Sequence, residues 1–515
     1  MRGPVRRAAL AAAFAVLATL AAAPPSALAR DEFVQAPDGA QIHAYFFPAA
    51  GLKPGKRAPT VLEGPGFGGT AETNPEAPTS TATGVIGVGP LRSNGYNVLT
   101  WNPPGFGDSG GIAEIDSIDH EAPAVSALIT WLAGQPEAQL DKKGDPRVGM
   151  AGGSYGGGIQ FATAETDRRV DVITPDIAWH SLVTSLYKAQ TVKTAWAQLL
   201  VLASAIKGQR DDPLVAQGFQ ESQQGFTLSP DVEGFFRSRG PGDLVSRIHI
   251  PTLLLQGTVD TLFTLQESVD NFRALRRNHV PLKLVWFCGG HGVCLTNPGD
   301  TGRIRRSVLA WLGRYLKRNP KTKTGPEFEW LDQRGHSYAA RRYPPPSAKP
   351  LTATRSGQQL QVGPDGGSGP YQGTLTGPLA EFGPVIGVTI ATKATNAVNV
   401  PVRAHAPATI LGAPTLTLAY SGTSSHADAR ILAQVVDDRT GRVLGNQITP
   451  IAVQLDGGEH TVRAPLEIVS AHAARGSSFT VQIVAQSGIY NAFPVDGTVS
   501  FSRIGVTLPT VHARG

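Results

Sequence analysis

The chain has little of what marks a metal centre, a nucleic-acid binder or a membrane protein. Its 515 residues hold two cysteines and two methionines, and Asp, Glu, Lys and Arg together make up only 17%. No block of Lys and Arg interleaved with aromatics occurs, so the electrostatic footprint of a nucleic-acid binder is missing. After the N-terminal segment no apolar run reaches the roughly 18 residues that would read as a membrane span. Glycine and proline are plentiful instead, 59 and 40 residues. That richness implies many turns and substantial β structure, in a chain long enough for two or three domains.

The exception to the scarcity of apolar runs is the N-terminus. In "MRGPVRRAALAAAFAVLATLAAAPPSALARD", Arg2, Arg6 and Arg7 precede an apolar run from Ala8 to Ala23, and the small-residue site Ala27-Leu28-Ala29 follows. This is the pattern of a secretory signal peptide, residues 1–29, removed on export; an uncleaved anchor is the alternative. Its three arginines bring the formal charge of +6 down to about +3 in the mature chain, which is close to neutral for its length.

Export bears on the two cysteines. Cys288 and Cys294 bracket His291 in "WFCGGHGVCLT", a spacing compatible with metal ligation, free thiols or a disulfide. In an oxidising compartment two lone cysteines six positions apart favour the disulfide. A zinc site would need a further ligand or an open catalytic position, and no second cluster with ligand spacing offers one; no metal and no cofactor is expected. So short a loop gives an entropic stabilisation of only about 2 kcal/mol. The expected role of the bridge is to fix the chain's path around His291.

"EFVQAPDGAQIHAYFFPA" reads as a hairpin turning at Pro37-Asp38-Gly39. Short apolar runs follow: "PTVLEG", "GYNVLTWN", "RVGMAGG", "VDVITPD", "PTLLLQG" and "LKLVWFCGG". They alternate with amphipathic helical patterns such as "EAPAVSALITWLAGQ" and "LQESVDNFRALRRN". Strands apolar on both faces and alternating with helices predict an α/β fold, a mostly parallel sheet covered on both sides. "TGRIRRSVLAWLGRYLKRNP" closes the unit as a helix with cations in its last turn. The expected organisation is a sheet domain in two parts, 30–179 and 248–324, with a helical cap inserted at 180–247. Residues 325–515 carry period-two patterning between turn residues, as in "TLTLAYSG" and "SSFTVQIVAQSG", and predict a β-sandwich. "VVDDRTGRVL" reads as a hairpin turning at Thr440-Gly441.

The chemistry concentrates in "RVGMAGGSYGGG". A strand runs into Gly152-Gly153-Ser154-Tyr155-Gly156, a Gly-x-Ser-x-Gly, and then into a helix. A serine on such a strained turn needs small neighbours on either side, and the turn lifts its hydroxyl into the open beside a helix N-terminus. A serine hydroxyl needs a base, and the base an orienting acid. In the chain order Ser, acid, His, Asp260 lies in "PTLLLQGTVDTLF", just beyond one strand, and His291 follows the next. All three fall at the C-terminal edge of a parallel sheet, where such folds place ligands. The oxyanion formed on attack needs two donors. The expected ones are the backbone N–H of Tyr155 and, in "EGPGFGGT" after the strand Thr60–Leu62, that of Phe67. "NPPGFGDSGG" reaches the same edge with a structural role.

With "GGSYGG", "GTVD" and "GGHG" placed, the chain resembles the X-Pro dipeptidyl-peptidase and cocaine-esterase group of α/β-hydrolases. The helical insertion and the crossover "FEWLDQRGHSYAARRYPPP" into a C-terminal sandwich add to the likeness. The resemblance implies an α/β-hydrolase fold with a helical cap and a jelly-roll-like domain walling the active site. It also implies a nucleophile, acid and base at Ser154, Asp260 and His291. Members cleave esters, or amide bonds after a penultimate proline, so the expected partner is a small ester or peptide-like substrate. One departure stands out: cocaine-esterase-like members take an oxyanion donor from a tyrosine hydroxyl after an early strand, and "EGPGFGG" has no tyrosine. A peptidase would need acidic groups on the cap for a free amino terminus, and Asp211, Asp212, Glu221, Asp231 and Glu233 are available. The competing class is a protein with a vestigial triad whose sandwich docks a cell-wall glycan or polymer; Tyr343, Tyr371 and Tyr490 are scattered aromatics there, and they read first as ordinary core or surface residues.

Overall fold

The computed structural model describes residues 30–79, 86–224, 227–294, 296–363, 391–490 and 496–513. The proposed signal peptide, residues 1–29, lies outside them, as does Tyr371.

A ten-stranded sheet organises the first part of the chain. Its members are β1 (Arg30–Gln35), β2 (Gln41–Phe47), β3 (Thr60–Glu63), β4 (Asn97–Trp101), β7 (Val148–Gly153), β8 (Val170–Asp176), β9 (Thr252–Gly257), β10 (Leu282–Phe287), β11 (Phe328–Leu331) and β12 (Ser337–Ala340). A small separate hairpin, β5 (Leu140–Lys142) and β6 (Asp145–Pro146), precedes β7. The strand order is β1-β2-β4-β3-β7-β8-β9-β10-β11-β12. Pairing is parallel from β4 to β11 and antiparallel at both ends. The Pro37-Asp38-Gly39 turn joins β1 and β2 as the sequence predicts, with Gln35 opposite Gln41.

Successive residues of the central strands feed opposite faces, because side chains alternate along a strand. Leu62, Leu99 and Leu254 join a core with helices α2 (Glu121–Leu132), α3 (Tyr155–Thr166) and α8 (Leu265–Arg277). Val61, Val98, Leu253 and Leu255 join a second core with α1 (Val88–Ser93) and α9 (Arg303–Tyr315). Both faces are dry, which is why these runs read as continuously apolar.

Between β8 and β9 the chain forms α4 (Leu182–Leu186), α5 (Thr194–Ile206), α6 (Pro213–Gln224) and α7 (Pro230–Arg237). Leu182, Trp196 and Phe235 of this segment pack with Tyr155 and Trp179 below. They also pack with Leu432, Ile448 and Tyr490 of the C-terminal part.

The strands β13 (Leu351–Arg355), β14 (Gln358–Val362), β15 (Ala397–Arg403), β17 (Thr415–Asp437), β18 (Arg442–Pro465), β20 (Ser478–Val484) and β21 (Gly497–Leu508) form a seven-stranded antiparallel sheet. A three-stranded sheet of β16 (Ala408–Gly412), β19 (Val469–Ala473) and β22 (Thr510–Val511) closes over a shared core. The hairpin read at Thr440-Gly441 is the β17–β18 turn, with Asp437 opposite Arg442.

One expectation about this region is revised. Residues directly after 325 do not enter the sandwich: β11 adds parallel to β10, and β12 pairs with β11. Phe328 stacks on Trp330 at 4.6 Å and meets Trp286 of β10 edge-on at 4.9 Å. Period-two patterning is the same for a strand that extends the first sheet and one that opens a second, so only the packing partners distinguish them.

Candidate active site

Four parallel strands end at one edge, and the loops after β3, β7, β9 and β10 carry the sequence-predicted groups. Ser154 caps α3 with φ 57° and ψ −119°, a conformation that non-glycine residues adopt only when their surroundings over-determine it. The reason is local crowding: a Cβ on Gly156 would lie 2.1 Å from the Gly64 carbonyl oxygen. The turn after β7 is thereby pressed against the glycine-rich loop after β3.

Asp260 is fully buried. Its Oδ1 accepts from the N–H of Leu262 at 3.0 Å and of Phe263 at 2.8 Å. Its Oδ2 accepts from the His291 N–H at 3.1 Å and lies 2.8 Å from His291 Nδ1. A carboxylate in this setting only accepts, so Nδ1 carries the proton and Nε2 presents its lone pair. His291 Nε2 lies 2.8 Å from Ser154 Oγ. The imidazole is also held edge-on by Phe263 and Trp196, with ring centroids at 5.1 and 5.6 Å.

Cys288 and Cys294 form a disulfide around the His291 loop. Inside it Gly290 has φ +127°, and a Cβ there would lie 2.6 Å from the Asp260 Cβ. The bridge and this glycine bring His291 down onto Asp260. Among the described residues no group of three or more His, Cys, Asp or Glu side chains is disposed to hold a metal ion.

Phe67 and Tyr155, the two expected oxyanion donors, line the same cleft as Ser154. Tyr155 occupies the first turn of α3, where N–H groups have no intrahelical acceptor. Phe67 sits in the turn closed by Gly69 N–H donating to Gly66 O at 2.9 Å. Its ring is 5.7 Å from that of Tyr155. Phe106, from "NPPGFGDSGG", packs on both rings at 6.0 and 5.0 Å. Behind Tyr155, its hydroxyl donates to Glu121 at 2.8 Å. Burial pushes the Glu121 carboxyl up to about 7 and raises the Tyr155 phenol well above its ordinary range.

Sequence reading missed the groups that brace the acid. Lys193 is buried, and its Nζ donates to the carbonyls of Thr261 at 2.8 Å and Leu262 at 2.9 Å. Burial lowers this amine to about 8, against the pull of Glu467. Trp196 Nε1 donates to Thr261 Oγ1 at 3.1 Å. From the sandwich, Gln447 Nε2 donates to the Asp260 carbonyl at 2.8 Å. Glu467 pairs with Lys188 and accepts from Thr264 Oγ1 at 2.7 Å. Burial alone would raise Glu467, but Lys188 and Lys193 outweigh it and hold the carboxyl below its usual range. A lone lysine amid apolar residues in "QTVKTAWAQ" was the one available hint; Gln447 offered none.

The other candidate groups fare differently. Of the five cap acids, only Glu233 lines the cleft that reaches Ser154; it pairs with Arg237. Asp211 accepts from Ser204 and Gln209, and Glu221 accepts from the Ser229 N–H at 2.7 Å. Asp212 caps Leu214 N–H at 2.8 Å, and Asp231 is exposed. Tyr343 and Tyr490 are buried. Tyr343 packs against Trp286, Phe328 and Phe272, and neither tyrosine can serve as a surface platform for a polymer.

The fold and its catalytic edge define the class: the chain is a serine hydrolase of the α/β-hydrolase fold, with a C-terminal antiparallel β region. Residues 38–293 match the family model described as X-Pro dipeptidyl-peptidase (S15 family), and the resemblance read from the motifs holds. Solved structures agree in fold. A CocE/NonD family hydrolase from Staphylococcus aureus superposes with a TM-score of 0.67 at 14% identity, covering 94% of this chain and 93% of the other. An α-amino acid ester hydrolase gives 0.71 at 13% identity, covering 97% and 100%. An aminopeptidase from a marine sediment Thaumarchaeota archaeon gives 0.69 at 13%, covering 94% and 96%. No curated protein matches the sequence. The family model and the shared fold together support a serine hydrolase of the α/β-hydrolase fold.

Proposed function

We infer that the protein is an exported serine hydrolase that works through an acyl-enzyme on Ser154, with His291 as base and Asp260 as orienting acid. The observation that carries this reading is the unbroken chain of contacts, 2.8 Å from Ser154 Oγ to His291 Nε2 and 2.8 Å from Nδ1 to Asp260 Oδ2. Ser154 Oγ bonds to the substrate carbonyl carbon as its proton passes to Nε2. The negative charge moves to the carbonyl oxygen, where the N–H groups of Tyr155 and Phe67 receive it. Collapse of this intermediate expels the alcohol or amine, which takes the proton from His291. A water molecule then repeats the sequence, releases the acid and restores Ser154. The acid's interior position keeps its charge next to the imidazolium without competing solvent. The Cys288–Cys294 bridge supports export, since disulfides persist in oxidising compartments.

The test is labelling by a fluorophosphonate probe, followed by a panel that sets short acyl esters against Xaa-Pro amides. Labelling confined to Ser154 and hydrolysis of one substrate class are expected. No labelling and no hydrolysis of either class would overturn the reading.

A further inference from the structure

The cleft that opens at Ser154 runs beneath the cap and has an internal volume of about 100 Å³, more than an acetyl group requires. Its walls are apolar, with Trp179, Leu182, Leu186, Val201, Phe219 and Phe236 among them. Among the described lining residues other than Ser154, the unpartnered polar atom is the Trp179 indole N–H, a donor that cannot receive an ammonium, and the remaining polar side chains are engaged. Tyr155 Oη donates to Glu121, Tyr187 Oη accepts from the Leu228 N–H at 3.1 Å, and Glu233 pairs with Arg237. An ammonium group drawn into this space would lose its hydration and would have to take the Glu233 carboxylate from Arg237, a cost that a methylene chain does not meet. His291, which hands its proton to the departing group, does not line the cleft, whereas Phe67 and Tyr155 do.

We propose that this cleft is an acyl site for an unbranched aliphatic chain of about six carbons or more, making the protein a hydrolase of medium- to long-chain carboxylic esters rather than of α-amino acyl substrates. The proposal rests on the acyl-enzyme reading above and names its substrate class. Burial of each methylene contributes about 0.8 kcal/mol, or about fourfold, so acyl length is the variable that reports on the cleft.

The experiment uses the full-length protein and p-nitrophenyl esters from acetyl to palmitoyl, which hold the leaving group constant. The expected result is a kcat/KM that climbs about fourfold per methylene from acetyl to at least hexanoyl. A 2-aminooctanoyl ester should be at least about tenfold poorer than the octanoyl ester. Val201→Trp and Leu186→Trp, each partly exposed on the cleft wall, should move the optimum to shorter chains while fluorophosphonate labelling of Ser154 shows that the fold persists. Two separate variants guard against the misfolding of one. Labelling of Ser154 together with an acetyl optimum, or with a preference for the amino-acyl or Xaa-Pro substrate, would overturn the acyl-chain assignment and leave the serine mechanism standing. Absence of labelling together with absence of all ester hydrolysis would remove both.

Discussion

At the scale of single residues, the proposed mechanism separates a group that reacts from groups that hold others in place. Ser154 Oγ faces His291 and lies at the cleft, so Ser154→Ala removes the nucleophile and little packing. We expect kcat to fall by at least about 10⁴-fold with a thermal midpoint within a degree or two of wild type; turnover near wild type would exclude the assignment. Lys193 donates to the loop that carries Asp260, and in the proposed mechanism it is a positioning residue. Lys193→Met strips two buried carbonyls of their donor, and small displacements at a catalytic group cost about ten- to a hundredfold. The expected signature is a loss in kcat of that size with KM within about twofold. A rise in KM alone would show that Lys193 shapes the substrate site instead.

At the scale of elements, the loop after β10 is the informative one. It carries the base between two bridged cysteines, and the bond spans six residues. So small a loop contributes only about 2 kcal/mol to global stability, while it defines where His291 sits. Cys288→Ser with Cys294→Ser should therefore lower kcat/KM by more than about tenfold and shift the thermal midpoint by only a few degrees. Mild reductant should do the same to the wild type. Equal proportional losses of activity and stability would show that the bridge is a general staple.

Across the whole molecule, buried carboxyls set a pH signature, among them Asp116, which burial and then the neighbouring Glu121 raise well above its ordinary range. Burial raises Glu63 to about 8, with Glu72 adding to the effect, Glu121 to about 7 and Glu165 to about 9. In the folded state each holds a proton that the unfolded chain has released above its ordinary range near 4.5. Their contribution to stability is fully present below that range and is lost as pH rises through the folded values. The thermal midpoint should then fall between pH 6 and 9 in the wild type. Glu165→Gln, which stays neutral, should flatten the upper part of that decline; an unchanged slope would remove Glu165 from the account.

What the sequence by itself determined was the chemistry that depends on neighbours in the chain. The elbow at Ser154, the strand-then-loop positions of Asp260 and His291, and the short cysteine loop follow from glycine sterics, apolar runs and turn residues within about a dozen positions. A parallel sheet then carries the three loop ends to one edge. Only the tertiary structure decided what surrounds them. Lys193 arrives from the cap, and Gln447 and Glu467 from the sandwich some two hundred positions beyond Asp260. The apolar cleft is assembled from four short helices whose individual patterns disclose no enclosed volume, and Phe328–Leu331 joins the first sheet because Trp286 awaits it there. Such contacts are set by how distant surfaces pack, and packing leaves no local periodicity to read.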